Sequence, residues 1–318
     1  MLESQRSRHP VEMPERPYRM IQVSGACRRR RKPDQIEGNV EDPSQFGKGN
    51  WAGFPVPLDK VREAAAEWSA TLAGVERPWL CWNVSDRWCA LQQRLIQEVG
   101  WTPVIGFDPR CGAPKTVLPG SVVIDFNARF GLPIMWPHFP LEFAFLFSDR
   151  LAFWHADLLC RMETMQRLKG VFEGLTDGVM AAVPDLGSRR YVYRFRHHRY
   201  WELAGCTTRG ASRSQFEQGA GWWRSFVDHP NCPNEKERRR RARYYYDSGV
   251  GIMYWKRRLG GRIVDIPQRW VAEGHCTSIN RTNYRQVQPG GQRNLSAEID
   301  LNFDIAEVAR QLGIDHLL

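Results

Sequence analysis

Two stretches of the chain carry residue types that can do chemistry. In RLAFWHADLL, an apolar run stops at His155-Ala156-Asp157. Residues at i and i+2 of an extended chain project to the same side, so one imidazole and one carboxylate can face a divalent cation or a diphosphate together. In YYYDSGVGIMYWKRRLGGRIVDIPQRWVAEGHC, Asp247 precedes a helix-length segment. Gly260-Gly261, a β-branched run closed by Pro267, and then His275 follow it. Taken singly, Asp157 also reads as a cap at a strand end, Asp247 as a helix N-cap and His275 as a loop histidine.

These residues need elements to hold them. The stretch RPWLCWNVSDRWCALQQRLIQEVGWTPVIGFDPR predicts a strand over 79–84, a helix over 86–99 and a strand over 102–107. Trp88, Leu91, Leu95 and Val99 recur at helical spacing, Ser85 suits the N-cap, and Gly100 suits the stop. In open α/β sheets ligands bind beyond the carboxyl ends of the strands, which puts Asn83, Ser85, Asp86 and Asp108 where a nucleotide can be held. Asp86 reads equally as a first-turn acid favoured by the helix dipole.

Upstream, Val61, Ala65, Trp68 and Leu72 share one helical face. Downstream, Met162, Met165, Lys169 and Phe172 do the same, and VMAAV and RRYVYRFRH read as strands. The alternation predicts an α/β sandwich with a mostly parallel sheet instead of a helical bundle. In RGASRSQFEQGAGWWRSF, Ser214 and Glu217 have capping-box spacing. Gly219 and Gly221 then stand beside Trp222 and Trp223. This segment is either a Gly-interrupted helix packed by indoles or a loop bringing backbone and indole faces to a ligand.

At 318 residues and 42% hydrophobic, the chain can bury a substantial core. Residues 1–55, rich in Arg, Pro, Gly and Gln with little periodicity, read as a basic, disordered arm; 56–284 hold the α/β elements, and 285–318 form an extension with a closing helix. The net charge of +10 comes largely from CRRRRK and KERRRRAR. Such runs suit nucleic acid, an anionic surface, an anionic nucleotide substrate, or a solvated face. The eight cysteines never form C-x-x-C, so no local zinc knuckle or dithiol site is written, and reduced thiols are expected. The most apolar stretch, GLPIMWPHFPLEFAFLF, is interrupted by three Pro, His138 and Glu142, so a soluble intracellular protein without a transmembrane segment is expected.

In order, these features resemble the GT-A-fold glycosyltransferases that use nucleotide sugars, over about residues 78–280. The acid triplet ending a strand is similar to their D-x-D element, which binds the donor diphosphate through a divalent metal; the first position here is His155. The segment from Gly219 to Trp223 resembles their Gly-rich acceptor-side loop. Asp247, Gly260-Gly261, RIVDIP and His275 reproduce their order of helix acid, glycine, strand with Pro, and histidine.

The resemblance implies a GT-A-like (Rossmann-like) α/β/α sandwich and transfer of a sugar from a nucleoside diphosphate donor to an acceptor. It implies Mn²⁺ or Mg²⁺ at His155, Asp157 and His275, and donor binding by Asn83, Ser85, Asp86 and Asp108. Gly219, Gly221, Trp222 and Trp223 would face the acceptor, and Asp247 would be the general base of an inverting enzyme. Two other classes compete: a nucleic-acid-binding protein gripping phosphates with its Arg runs and stacking bases on aromatics, and an inactive GT-A-like scaffold lacking the first Asp.

Overall fold

The computed structural model describes residues 57–109, 111–132, 135–185, 198–223, 226–244, 248–275 and 304–318. Asp247, the RRYVYRFRH segment, the 1–55 arm and residues 276–303 lie outside the described residues.

Helix α1, Leu58–Thr71, buries Val61, Ala64, Ala65 and Trp68. Trp68 meets Phe126 edge-on at 5.0 Å and Phe147 at 5.5 Å, so one indole joins α1 to two later segments. Strand β1, Pro78–Asn83, helix α2, Asp86–Glu98, and strand β2, Thr102–Phe107, form the expected β-α-β unit. Every residue of β1 is buried, so structure covers both faces of the sheet there. The short edge strand β3, Val122–Val123, and helix α3, His138–Glu142, come next.

Strand β4, Arg150–Trp154, helix α4, Met162–Glu173, and strand β5, Val179–Asp185, continue the alternation. On α4 the buried residues are Met165, Leu168 and Phe172, with Leu168 inward where Lys169 was expected. Strand β6, Arg199–Thr208, leads into α5, Arg209–Glu217; α6, Glu235–Arg241, α7, Val250–Arg258, and β7, Arg262–Asp265, follow. The last elements are α8, Gln268–Val271, and α9, Ile305–Leu312.

The protein is therefore α/β: nine α-helices among the described residues and one seven-stranded mixed sheet ordered β3-β2-β1-β4-β6-β5-β7. Strand β6 pairs antiparallel with β4 and β5, and the other neighbouring pairs are parallel. From β1 the chain builds outward to β2 and β3, then returns to lay β4 on the other side of β1. Such a reversal is where an open α/β sheet has room for a ligand, here at the carboxyl ends of β1 and β4. Because β6 runs the opposite way, its amino-terminal end reaches the same edge. No helix among the described residues is long and apolar enough to cross a membrane.

One capping expectation changes. Ser214 lies inside α5, whose N-cap is Thr208, so the capping box with Glu217 does not form. Asp177 replaces it from another element: its Oδ1 accepts the Gly210 N–H at 2.7 Å. Ser214 Oγ instead accepts from Trp255 Nε1 at 3.1 Å. Helix α7 has Gly249, at φ 76, in its N-cap position. A Cβ at Gly249 would lie 1.8 Å from Tyr200 O, and Tyr200 N donates to Gly249 O at 3.1 Å, so only glycine lets this turn close onto β6.

Candidate functional site

Strand β4 ends at Trp154, and His155, Ala156 and Asp157 turn away from it. The imidazole and carboxylate are thus brought together by a turn and not by strand pleating. Four contacts fix the turn. His155 N donates to Leu203 O at 3.0 Å and Leu158 N to His155 O at 3.1 Å. From α2, the fully buried Gln92 donates through Nε2 to His155 O at 2.9 Å and to Leu158 O at 2.8 Å.

A second chain segment then completes the group. Leu158 forms an antiparallel bridge with His275, and Leu159 N donates to Gly274 O at 3.1 Å. A Cβ at Gly274 would come within 1.6 Å of Leu159 O, so the His275 segment approaches this closely only because residue 274 is glycine. From outside, Arg161 holds the segment by two bonds to the Glu273 carboxylate, at 2.7 and 3.1 Å.

Asp157 Oδ1 sits between two imidazoles, in short contact with His155 Nδ1 and 3.2 Å from His275 Nε2. The two rings stand 5.2 Å apart at 88°. One ligand atom from each of the three residues lies within 4.8 Å of the others, the spread of a candidate cation site. Burial alone would lower the pKa of His155, but the Asp157 carboxylate outweighs it and raises that pKa to about 9. Burial would raise Asp157, yet the charges of His155 and His275 hold it well below the ordinary carboxylate range. Its other oxygen, Oδ2, is buried without a hydrogen-bond partner. A buried acceptor left open costs about 1–3 kcal/mol, and a cation or a donor group beside it would recover that. The residues present therefore fit a divalent ion.

The group continues beyond the triad. Glu202 of β6 places Oε1 3.8 Å from His155 Nε2 and 3.1 Å from His138 Nε2, at the start of α3. Sequence reasoning missed Glu202, His138 and Gln92. The available signal was a polar residue inside an apolar or aromatic run, as in RYWELAG and PHFPLE.

The four residues expected to hold a donor lie at the carboxyl ends of β1 and β2. Asn83 closes β1 and donates to Gly112 O at 3.1 Å, while Asp86 Oδ1 accepts Lys115 N at 2.9 Å. These two side chains therefore tie down the loop after β2. Ser85 occupies the N-cap position of α2 without a side-chain cap bond, and Asp108 is fully buried beyond β2.

Of the residues expected to face an acceptor, Trp222 is fully buried and Trp223 nearly so; Trp222 packs edge-on against Phe153 at 5.3 Å. Their indoles pack inside the protein instead of presenting an open face. A Cβ at Gly221 would lie 2.4 Å from the Glu142 carboxylate, which accepts Trp223 N at 2.9 Å and pairs with His229 Nε2 at 2.9 Å. Gly221 thus makes room for a buried ion pair. Gly219 O accepts from the buried Arg241. Asp247, the expected base, lies outside the described residues. Asp228, at the 3-10 turn before α6, is engaged with Arg238 at 2.9 Å.

The Arg run of α6 is largely spent on acids. Arg238 pairs with Asp228, Arg239 with Glu235, and Arg240 and Arg241 with Glu237. This pairing explains the run as a salt-bridged helix face, which removes much of its pull on phosphates. The CRRRRK run lies outside the described residues. Comparison of the chain with protein-family models, with curated proteins and with solved structures finds no match.

Proposed function

We propose that the chain is a GT-A-like glycosyltransferase that moves a sugar from a nucleoside diphosphate donor to an acceptor. The observation that carries this reading is the His155, Asp157 and His275 cluster at the carboxyl edge of the β1/β4 reversal, with Asp157 Oδ2 left open. Asn83, Ser85, Asp86 and Asp108 border the same edge, on the side suited to the nucleoside. Two imidazole nitrogens and one carboxylate favour Mn²⁺ over Mg²⁺, which prefers oxygen ligands. Bound there, the ion would supply positive charge to the departing diphosphate.

The chain's own residues do the rest. Gln92 fixes the turn that aims His155 and Asp157, and the Arg161–Glu273 pair keeps His275 in register. Arg199, at the start of β6, adds a cation beside His155 and Glu202. In the inverting case Asp247 takes the acceptor hydroxyl's proton as its oxygen attacks the anomeric carbon.

The test is a calorimetric and thermal-shift screen of UDP, GDP, CDP and their sugars with and without Mn²⁺. Asp157→Ala should weaken metal-dependent nucleotide binding, whereas Asp247→Asn should spare binding and abolish transfer. Absence of nucleotide binding under every condition would remove the transferase reading. Two histidines and one carboxylate also form the donor set of mononuclear iron(II) oxygenases, a second reading that this cluster specifically favours. Tight anaerobic Fe²⁺ binding unaffected by any nucleotide would select it.

A further inference from the structure

Glu202 extends the triad's group without being one of its candidate cation ligands. It lies on β6, the strand that runs against its neighbours, so its position near the amino-terminal end of that strand brings it to the ligand edge of the sheet. Its carboxylate sits between two imidazoles, with Oε1 3.1 Å from His138 Nε2 and 3.8 Å from His155 Nε2. Arg199 adds a positive charge nearby. Oε1 carries the ion pair with His138, whereas Oε2 is buried without a hydrogen-bond partner. Were the carboxylate only a structural ion bridge, both of its oxygens would be engaged. Instead one acceptor stands open, one imidazole away from the Asp157 cluster.

We propose that Glu202 contacts the sugar of the donor, its Oε2 accepting a hydrogen bond from a sugar hydroxyl while the ion pair with His138 holds the carboxylate in place. This inference rests on the transferase reading above. A sugar hydroxyl donates readily to a carboxylate oxygen. Glu202 lies 3.8 Å from His155 Nε2, and a diphosphate held at the His155 and Asp157 cluster carries its sugar as the next group.

Isothermal titration of the full chain in Mn²⁺ tests it, comparing UDP, GDP and CDP with UDP-glucose and GDP-mannose as probes. Glu202→Gln should leave the nucleotide within about twofold of the original affinity and weaken the matching nucleotide sugar by about tenfold, the loss of one charge-assisted hydrogen bond. Glu202→Asp, which keeps the charge and withdraws it by one methylene, should fall between the two and guards against a fold defect in the first variant. Equal weakening of nucleotide and nucleotide sugar would make Glu202 part of the cation site and overturn the proposal. Unchanged affinity for both, in both variants, would also overturn it. If no nucleotide binds the unaltered chain, the transferase reading and this subsite fall together.

Discussion

Two groups of buried ionisable side chains in this protein end in opposite states. Arg241 has its guanidinium filled: it donates to Gln218 O at 2.9 Å, to Phe226 O at 3.3 Å, to Gly219 O and to Glu237, and lies 5.4 Å from the ring centres of Phe226 and Tyr254. The Glu142–His229 pair is similarly closed, with both side chains fully buried and Glu142 also accepting Trp223 N. Around Asp157 and Glu202 the same residue types leave Asp157 Oδ2 and Glu202 Oε2 without hydrogen-bond partners. Burial of charge is common to both groups, and completeness of hydrogen bonding separates them. A closed group holds the fold together, while an open one has free valence for a ligand.

The largest effect should come from breaking a closed group. Arg241→Met takes a donor from Glu237 and from three carbonyls and should cost about 3–5 kcal/mol in urea unfolding. A loss below about 1 kcal/mol would erase the distinction. Asp157→Asn should act the other way round, lowering Mn²⁺ affinity by about a hundredfold, near 3 kcal/mol, with a smaller loss of metal-free stability than Arg241→Met. Titration of both variants with Mn²⁺, set beside their urea midpoints, makes the comparison direct.

Gln92→Leu should weaken Mn²⁺ by about tenfold, the usual scale for a residue that orients ligands, because the carbonyls on both sides of the triad turn lose their donor. Its melting temperature without metal reports the structural part of the effect separately. Asp86→Asn should have the smallest effect, within about 1 kcal/mol, since Asp86 and Lys115 form a partly exposed pair. A larger loss would make the loop after β2 a keystone of the edge.

The open group should also respond to pH. His155 has its folded pKa raised from 6.5 to about 9, so the stability it contributes is complete below 6.5 and is lost as pH rises through 9. Asp157 is lowered from 3.8, so its contribution is present above 3.8 and is lost as pH falls through its depressed value. The metal-free melting temperature should therefore fall between pH 6.5 and 9, while Mn²⁺ affinity rises over the same window as the ion replaces the His155 proton. A flat profile in both measurements would mean that His155 and Asp157 do not interact as placed.

Much of the framework was legible in the residues. The helical recurrence of Trp88, Leu91 and Leu95, bounded by Ser85 and Gly100, is a local pattern, and it fell on α2 with strands on either side. The stop of β4 before His155 was equally local, as were the Gly-Gly break and the Pro after β7. Ser214 shows the limit: it had the right spacing for a cap, but Asp177, from a different loop, accepts the Gly210 N–H at the start of that helix. Trp222 and Trp223 show another, because an indole that stacks on a sugar and an indole that packs on Phe153 look the same in one dimension.

By itself the amino-acid order determined the α/β alternation, the ends of β1, β2 and β4, and the presence of an imidazole and a carboxylate where β4 stops. His275 was expected beside them only through the resemblance; the tertiary structure decided how its segment reaches them, that Glu202 and His138 extend the group, and that Gln92 holds its turn. The reason is physical. Periodicity and caps act over a few residues through backbone bonds and shared faces, whereas these contacts span distant segments and exist only because the sheet reverses at β1 and admits one antiparallel strand beside β4.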